Sequence, residues 1–173
     1  MAGQPQPPFE RFTDGARTAV VVSQEVARLQ KTATIEPDHL ALAMLRLEDD
    51  PGLVLVVRAV GLAPAELCAV IEAGLVTGTH VTDGAIPFGP PTKTILQRAI
   101  AMALAVGDDH VGVEHLLLGL VGHPDCPSAK ALCAAGADRD AVLAAIRGRE
   151  EPGFQVKTTR GLGRFRKGSR PPT

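Results

Sequence analysis

The sequence predicts an all-α fold made of two related four-helix repeats, eight helices in total, followed by a disordered basic tail. The first observation is an internal repeat, because residues 12–67 and 88–142 align almost without gaps at a shift of 76 positions. The second is the helical spacing of apolar residues in both copies. The third is that no segment alternates apolar and polar residues as a strand does. A duplicated helical unit predicts a pseudo-two-fold axis, so a surface built by one copy should have a counterpart in the other.

The first copy contains signals for four helices. Thr13 is a suitable N-cap for a helix over 14–31. Pro37 opens a second helix, expected to run to Leu47, because proline fits the first turn of a helix. Residues 49–52 are predicted to break the chain, so a third helix covers 53–60. A fourth helix begins at Pro64 and ends near Gly74. The inward stripe of the first helix is Ala16, Ala19, Val20, Ser23 and Ala27.

The second copy repeats this order after a linker rich in glycine and proline. Its predicted helices cover 92–106, 113–121, 128–135 and 138–147. The expected domains are a disordered N-terminus at 1–8, a first repeat at 9–76, a linker at 77–91, a second repeat at 92–149 and a tail at 150–173.

Charge is distributed unevenly along the chain. The net charge is −1, but residues 1–151 carry 12 Lys/Arg and all 19 Asp/Glu, while residues 152–173 carry six basic and no acidic residues. The tail is interpreted either as a solvated extension or as an arm for an acidic protein surface or nucleic acid. Its basic residues are Lys157, Arg160, Arg164, Arg166, Lys167 and Arg170.

Motifs for catalysis, for nucleotide binding and for membrane insertion are missing from the sequence. It contains no phosphate-binding loop, no nucleophile elbow and no zinc-protease motif, so we expect no enzymatic activity, no cofactor and no metal. The N-terminus lacks the pattern of a signal peptide, and the apolar runs are too short to span a bilayer. Cys68, Cys126 and Cys133 lack metal-type spacing, which favours reduced thiols in a cytoplasmic protein.

Two acidic residues stand at equivalent positions, where the second helix of each copy begins. Asp38 and Glu114 are favoured there by the helix dipole, and a ligand-binding role is compatible with that position. His39 and His115 follow them directly. A metal pair is one interpretation, but the favoured one is packed histidines that hydrogen-bond to neighbouring helix ends.

Several segments of both copies form recognisable motifs: Phe9-Glu10-Arg11-Phe12-Thr13-Asp14, Ala16-Arg17, Ser23-Gln24-Glu25-Val26-Ala27 and Val111-Gly112-Val113-Glu114-His115-Leu116-Leu117-Leu118-Gly119-Leu120. Together they resemble a known family, the N-terminal repeat domain of Clp unfoldases of the ClpC and ClpA type. The resemblance covers residues 9–147, and Ile86-Pro87-Phe88 is similar to the ClpC subgroup. Because no ATPase module follows, the chain is expected to be a free-standing domain.

The resemblance implies a function and a set of ligand-contact residues. Domains of this family fold as two four-helix repeats and bind substrates, degradation tags and adaptors for the unfoldase. Some bind phosphorylated arginine through an acidic residue at each position held here by Asp38 and Glu114. The threonines beside those acids are replaced by Pro37 and Val113, which removes two donors suited to a phosphate.

The resemblance also implies that Phe9 and Phe88 lie near each other, with Lys93 on the adjoining helix, where ClpC-type domains bind cyclic peptide antibiotics. The alternative is that these phenylalanines only close the core between the repeats, as is expected for Phe12. The predicted ligand-binding residues are therefore Phe9, Arg11, Phe88, Lys93, Asp38 and Glu114.

Two functions follow from these observations. The leading hypothesis is a non-catalytic binding module of the Clp proteolysis system that binds substrates, adaptors or cyclic peptides and modulates a ClpC-type unfoldase. The alternative is a regulator associated with nucleic acid through the basic tail.

Overall fold

The computed structural model describes residues 9–149, which form a short 3-10 helix and eight α-helices. The all-α prediction is confirmed. The terminal segments 1–8 and 150–173, with the predicted basic tail, lie outside the described residues, and the predicted domain limits stay predictions. After the 3-10 helix Phe9–Arg11, the helices are α1 Asp14–Leu29, α2 Pro37–Leu45, α3 Pro51–Val60, α4 Pro64–Gly74, α5 Pro90–Val106, α6 Val113–Val121, α7 Pro127–Ala134 and α8 Arg139–Gly148.

Local sequence signals explain most of the helix ends. Thr13 caps α1 as predicted, since its Oγ1 accepts a hydrogen bond of 3.2 Å from the Ala16 N–H. Proline opens five of the helices, where its missing N–H is not needed. Gly61 and Gly107 end α3 and α5 with positive φ angles, a conformation that glycine adopts without steric cost.

The predicted break over residues 49–52 was wrong for Pro51 and Gly52, which belong to α3. Asp50 is the N-cap of α3, and its Oδ1 accepts hydrogen bonds from the N–H groups of Gly52 at 2.9 Å and Leu53 at 3.1 Å. The helix therefore begins at Pro51 rather than at residue 53. Smaller differences of one or two residues occur elsewhere: α1 ends at Leu29, α2 ends at Leu45, and α5 begins at Pro90.

The pseudo-two-fold relation is visible in two short backbone bridges between the repeats. Phe12 pairs in parallel with Val111, and Ile35 pairs in parallel with Phe88. A shift of 76 positions carries Phe12 onto Phe88 and Ile35 onto Val111, so each bridge maps onto the other. Each bridge is held by two backbone hydrogen bonds, of 2.8 and 3.0 Å. The entrance to the first helix of each repeat is thus tied to the other repeat.

Helices α2 and α6 form the centre of the molecule. Every residue of α6 is buried, as is every residue of α2 except Asp38, which is typical of helices that are apolar on all sides. Helix α1 packs on α2 and α5 packs on α6, while α3 packs on α8 and α4 on α7. The last two contacts cross between the repeats, so the two copies share one core.

The connection between α4 and α5 is anchored along the end of α1. The Gly78 N–H donates to the Gln30 carbonyl oxygen at 2.8 Å, and the His80 N–H donates to the Lys31 carbonyl oxygen at 2.8 Å. Ile86 is buried against Ala27 in a small cluster of its own. These contacts position the segment before α5 so that Phe88 can pair with Ile35 of the first repeat.

Within residues 9–149, no single helix has both the length and the apolar composition needed to cross a membrane; α3 and α4 meet that test only as a pair, bent by 99°.

Candidate ligand-binding site

Three phenylalanines meet beside the inter-repeat bridges, and we call Phe9, Phe12 and Phe88 the aromatic cluster. Phe9 stands edge-on to Phe12, with ring centroids 5.1 Å apart and planes at 82°, and lies 6.2 Å from Phe88 at 43°. Phe12 is 0 % exposed, as expected for a core residue, whereas Phe9 and Phe88 are half-buried. The cluster therefore has one ring fixed in the core and two rings that reach the surface.

Arg11 and Lys93 lie on the two segments that carry the aromatic cluster. Arg11 is exposed, and its carbonyl oxygen accepts the Val111 N–H of the first bridge at 2.8 Å. Lys93 is half-buried on the first turn of α5, five residues after Phe88. Both cations are thus carried by segments whose backbone is fixed next to the aromatic cluster.

The sequence interpretation missed Arg17, which the repeat itself could have revealed. A shift of 76 carries Arg17 onto Lys93, so the two cations are equivalent in the two copies. The Arg17 Nε donates to the Phe12 carbonyl oxygen at 3.0 Å, and a guanidinium nitrogen lies 3.8 Å from Asp14. In the first repeat this cation supports the backbone beside the aromatic cluster.

Asp38 is engaged with the opposite repeat. Its Oδ1 accepts a hydrogen bond of 3.0 Å from the Ser128 N–H, in the first turn of α7. The side chain of Cys126, the N-cap residue of α7, makes no capping hydrogen bond to that helix. Asp38 therefore satisfies a helix N-terminus across the repeat boundary, in addition to opening α2.

Glu114 is more deeply placed than its counterpart, with the residue only 9 % exposed. Its Oε1 lies 3.1 Å from the Arg149 Nη1. Its other oxygen lies so close to the start of α3 that a Cβ added to Gly52 would be 1.9 Å from it. Like Asp38, this carboxylate lies at the first turn of a helix in the other repeat.

Both histidines are packed, as predicted, but each one hydrogen-bonds to the end of its own helix rather than to the end of a neighbouring helix. His39 Nδ1 accepts the Glu36 N–H and His115 Nδ1 accepts the Gly112 N–H, both at 3.0 Å. Each histidine thus satisfies the N-cap of its own helix from the third helical position, as glutamine or glutamate does in a capping box. Burial lowers the pKa of His39, while the neighbouring charges of Glu36 and Asp38 oppose that shift.

Three potential metal ligands do come together in the second repeat. One ligand atom each from Asp108, Glu114 and His115 lie within 4.8 Å of one another. His115 Nε2 lies 2.8 Å from an Asp108 oxygen but makes no well-directed hydrogen bond. Because Nδ1 accepts a backbone N–H, Nε2 carries the proton of the neutral ring and has no lone pair for a metal. The Arg149 guanidinium also contacts both carboxylates, so this group fits an ion-pair cluster better than a metal site.

The three thiols of the described residues are unpaired and poorly activated. Cys126 is buried, Cys68 is half-buried and Cys133 is exposed. Burial raises the pKa of each thiol above its ordinary value. Arg46 near Cys68 and the helix N-terminus at Cys126 favour the thiolate, but they do not offset the effect of burial.

The structure brings some of the predicted ligand residues together and separates others. Phe9 and Phe88 are adjacent, with Arg11 and Lys93 on the segments that carry them. The contacts of Asp38 lead to α7, and those of Glu114 lead to α3 and α8. Their ligand-binding roles stay predictions.

Comparison with known families decides what this arrangement belongs to. Residues 11–135 match the model of the Clp repeat (R) N-terminal domain, which covers most of the chain. The chain belongs to this family. The resemblance drawn from the sequence is thereby confirmed, together with the two-repeat helical fold.

Relatives with this domain include proteins of bacteria and plants. An uncharacterized protein of Mycobacterium tuberculosis is 34 % identical over 116 residues, which are 65 % of this chain and 44 % of the relative. The chloroplast chaperone protein ClpC2 of Arabidopsis thaliana is 29 % identical over 135 residues, 78 % of this chain and 14 % of that protein. The chain thus spans less than half the length of these curated relatives.

Solved structures agree on the fold. The N-terminal domain of the ClpD chaperone from Arabidopsis thaliana superimposes with a TM-score of 0.63 at 22 % identity, covering 84 % of this chain and 98 % of that one. A complex of the ClpV N-domain with VipB peptide superimposes with a TM-score of 0.66 at 14 % identity, covering 84 % and 98 %. In the second of these structures, the ClpV N-domain holds a VipB peptide.

Proposed function

We propose that this protein is a non-catalytic, cytoplasmic binding module of the Clp proteolysis system. It binds substrates, adaptors or cyclic peptides and so modulates a ClpC-type unfoldase. The observation that carries the proposal is the half-buried pair Phe9 and Phe88, held 6.2 Å apart beside the inter-repeat bridges of a Clp repeat domain.

The aromatic pair has the physical properties of a peptide anchor. An exposed aromatic ring offers a large apolar area with few rotatable bonds, so little conformational entropy is lost when it is covered. Here the rings are also held in place, because Phe12 supports Phe9 from the core and the Ile35 bridge fixes the backbone of Phe88. Anchors of this kind dominate the energy of many protein interfaces.

Charge at the same place suggests how an extended ligand is oriented. Arg11 and Lys93 would favour an acidic residue or a carboxylate next to an apolar side chain that covers the rings. Asp38 and Glu114 are proposed as further ligand contacts. Each would have to exchange an internal partner for the ligand, Ser128 in one case and Arg149 in the other.

Isothermal calorimetry tests the proposal with three ligands: a ClpC-type unfoldase, one of its adaptors and a cyclic peptide that targets it. We expect at least one of them to bind, and we expect Phe88→Ala to weaken it by about 2 kcal/mol, roughly thirtyfold in Kd. Leu104→Ala is the matched control, since it removes an apolar side chain that is 55 % exposed further along α5. No binding of any of the three at tens of micromolar would remove the proposal.

A further inference from the structure

An anionic notch in the second repeat is filled by an arginine from the end of the described chain. The guanidinium of Arg149 contacts Asp108 with Nη2 and Glu114 with Nη1, the latter at 3.1 Å. Two donors of one planar guanidinium thus meet two separate carboxylates, and the rigid fork of donors on arginine is pre-organised for such paired contacts, unlike the point charge of lysine. We call the Asp108 and Glu114 carboxylates, with the buried His115 beside them, the anionic notch.

The notch is largely enclosed. The side chains of Asp108 and Glu114 are 22 % and 11 % exposed, and His115 Nε2 lies 2.8 Å from the same Asp108 oxygen that the arginine contacts. Such carboxylates gain more from a cation than carboxylates at an open surface do, because water screens the interaction less. The notch should therefore bind a guanidinium group whether this chain or another chain supplies it.

The first repeat does not contain this arrangement. The position of Asp108 is held there by Thr32, and Asp38, the counterpart of Glu114, accepts a backbone N–H from Ser128 instead of a cation. The notch is therefore not a requirement of the repeated helical unit. It is an addition that belongs to the second copy.

Arg149 can leave the notch without dismantling the core. It is the C-cap of α8 and its side chain is 25 % exposed, whereas the helix is held by Val142, Ala145 and Ile146 on its buried face. Withdrawal of this side chain breaks none of those buried apolar contacts. A contact at the end of an element is suited to open and close independently of the fold.

We infer that Arg149 is an intramolecular plug that blocks the anionic notch against guanidinium groups of other chains. This inference rests on the part of the proposed function that makes Glu114 a ligand contact. An external arginine binds only the fraction of molecules in which the plug is withdrawn. If the plug is closed about ten times as often as it is open, it weakens external binding about tenfold.

Amide NMR titration of the full chain with N-acetyl-L-arginine methylamide tests this inference. We expect Arg149→Ala to bind the compound at least about tenfold more tightly than the wild type, with shifts in residues 112–116. Arg147→Ala is the matched control, because it removes an exposed arginine from α8 two residues away, and it should behave as the wild type. N-acetyl-L-lysine methylamide should gain less, since its ammonium is a strongly hydrated point charge without the planar fork of donors.

Three results would overturn the inference. The first is a folded Arg149→Ala protein that binds the arginine compound no better than the wild type. The second is a gain that survives the addition of Glu114→Gln, which places the site elsewhere. The third is that neither Arg149→Ala nor Arg149→Gln folds, which makes the arginine a structural residue. This measurement does not depend on whether the aromatic cluster binds polypeptides. The proposed function and the Arg149 plug can therefore be refuted independently of each other.

Discussion

Helices α5 and α6 approach each other closely at Gly119, and replacing this residue with alanine tests how tightly the second repeat is packed. A Cβ at this position would lie 2.6 Å from the Ile95 carbonyl oxygen and 3.2 Å from the Ala99 nitrogen. Both atoms belong to the backbone of α5, so they cannot turn aside as the end of a flexible side chain can. The two helices would have to separate by several tenths of an ångström.

The expected magnitude is the difference of two opposing terms. Alanine is favoured over glycine inside a helix by about 1 kcal/mol. Overpacking a close-packed core costs about 1–3 kcal/mol, and a clash with helix backbone belongs in the upper part of that range. We therefore expect Gly119→Ala to lower the free energy of unfolding by about 1–2 kcal/mol.

Urea denaturation followed by circular dichroism measures the effect. Gly148→Ala is the control, because an added Cβ there meets nothing within 4 Å and should leave the protein as stable or slightly more stable. A shift of 76 carries Gly119 onto Ala43, so the first repeat already has a methyl group at the equivalent place. If Gly119→Ala proved as stable as the wild type, the close approach of α5 and α6 described above would be wrong.

Further predictions concern caps, protonation and the tail. His39→Gln should keep the capping hydrogen bond and remove a titrating group. Because the pKa of His39 in the folded protein lies below 6.5, the wild type loses stability as the pH falls below about 6.5. The urea midpoint should therefore fall less in the variant than in the wild type between about pH 8 and pH 5. Asp50→Ala should cost about 1–2 kcal/mol of unfolding free energy and Asp138→Ala about 0.5–1, because Asp50 caps two N–H groups and Asp138 caps one; equal thermal shifts would contradict this. Deleting residues 152–173 should leave polypeptide binding unchanged in calorimetry, whereas any retardation of duplex DNA in gel shifts should weaken with salt and vanish with the deletion.

The sequence was sufficient for most of the helices because their ends depend on short-range signals. Thr13, Pro37 and Pro64 each act within one helical turn, so their meaning can be read without the rest of the chain. The 76-residue shift supplied the symmetry, and the exchange of the Phe12 and Phe88 bridges agrees with it.

The contacts of Asp38 and Glu114 could not be predicted from the sequence, for a physical reason. Ser128 is 90 positions from Asp38, and Arg149 is 35 positions from Glu114. The first contact depends on how α7 packs against α2 across the repeat boundary, and the second depends on how α8 packs against α6 within the second repeat. No local pattern records either. The start of α3 was misplaced for a simpler reason, because Asp50 was interpreted as part of a turn when it is a cap.

The central claim is that this double repeat holds a polypeptide at the aromatic cluster. The most direct measurement is amide NMR mapping of the full chain with whichever adaptor or cyclic peptide binds in calorimetry. We expect saturable shifts concentrated in residues 9–12 and 86–93, around the Phe9 and Phe88 rings. Shifts confined to other surfaces, or full-strength binding by a folded protein with both rings replaced by alanine, would contradict the claim.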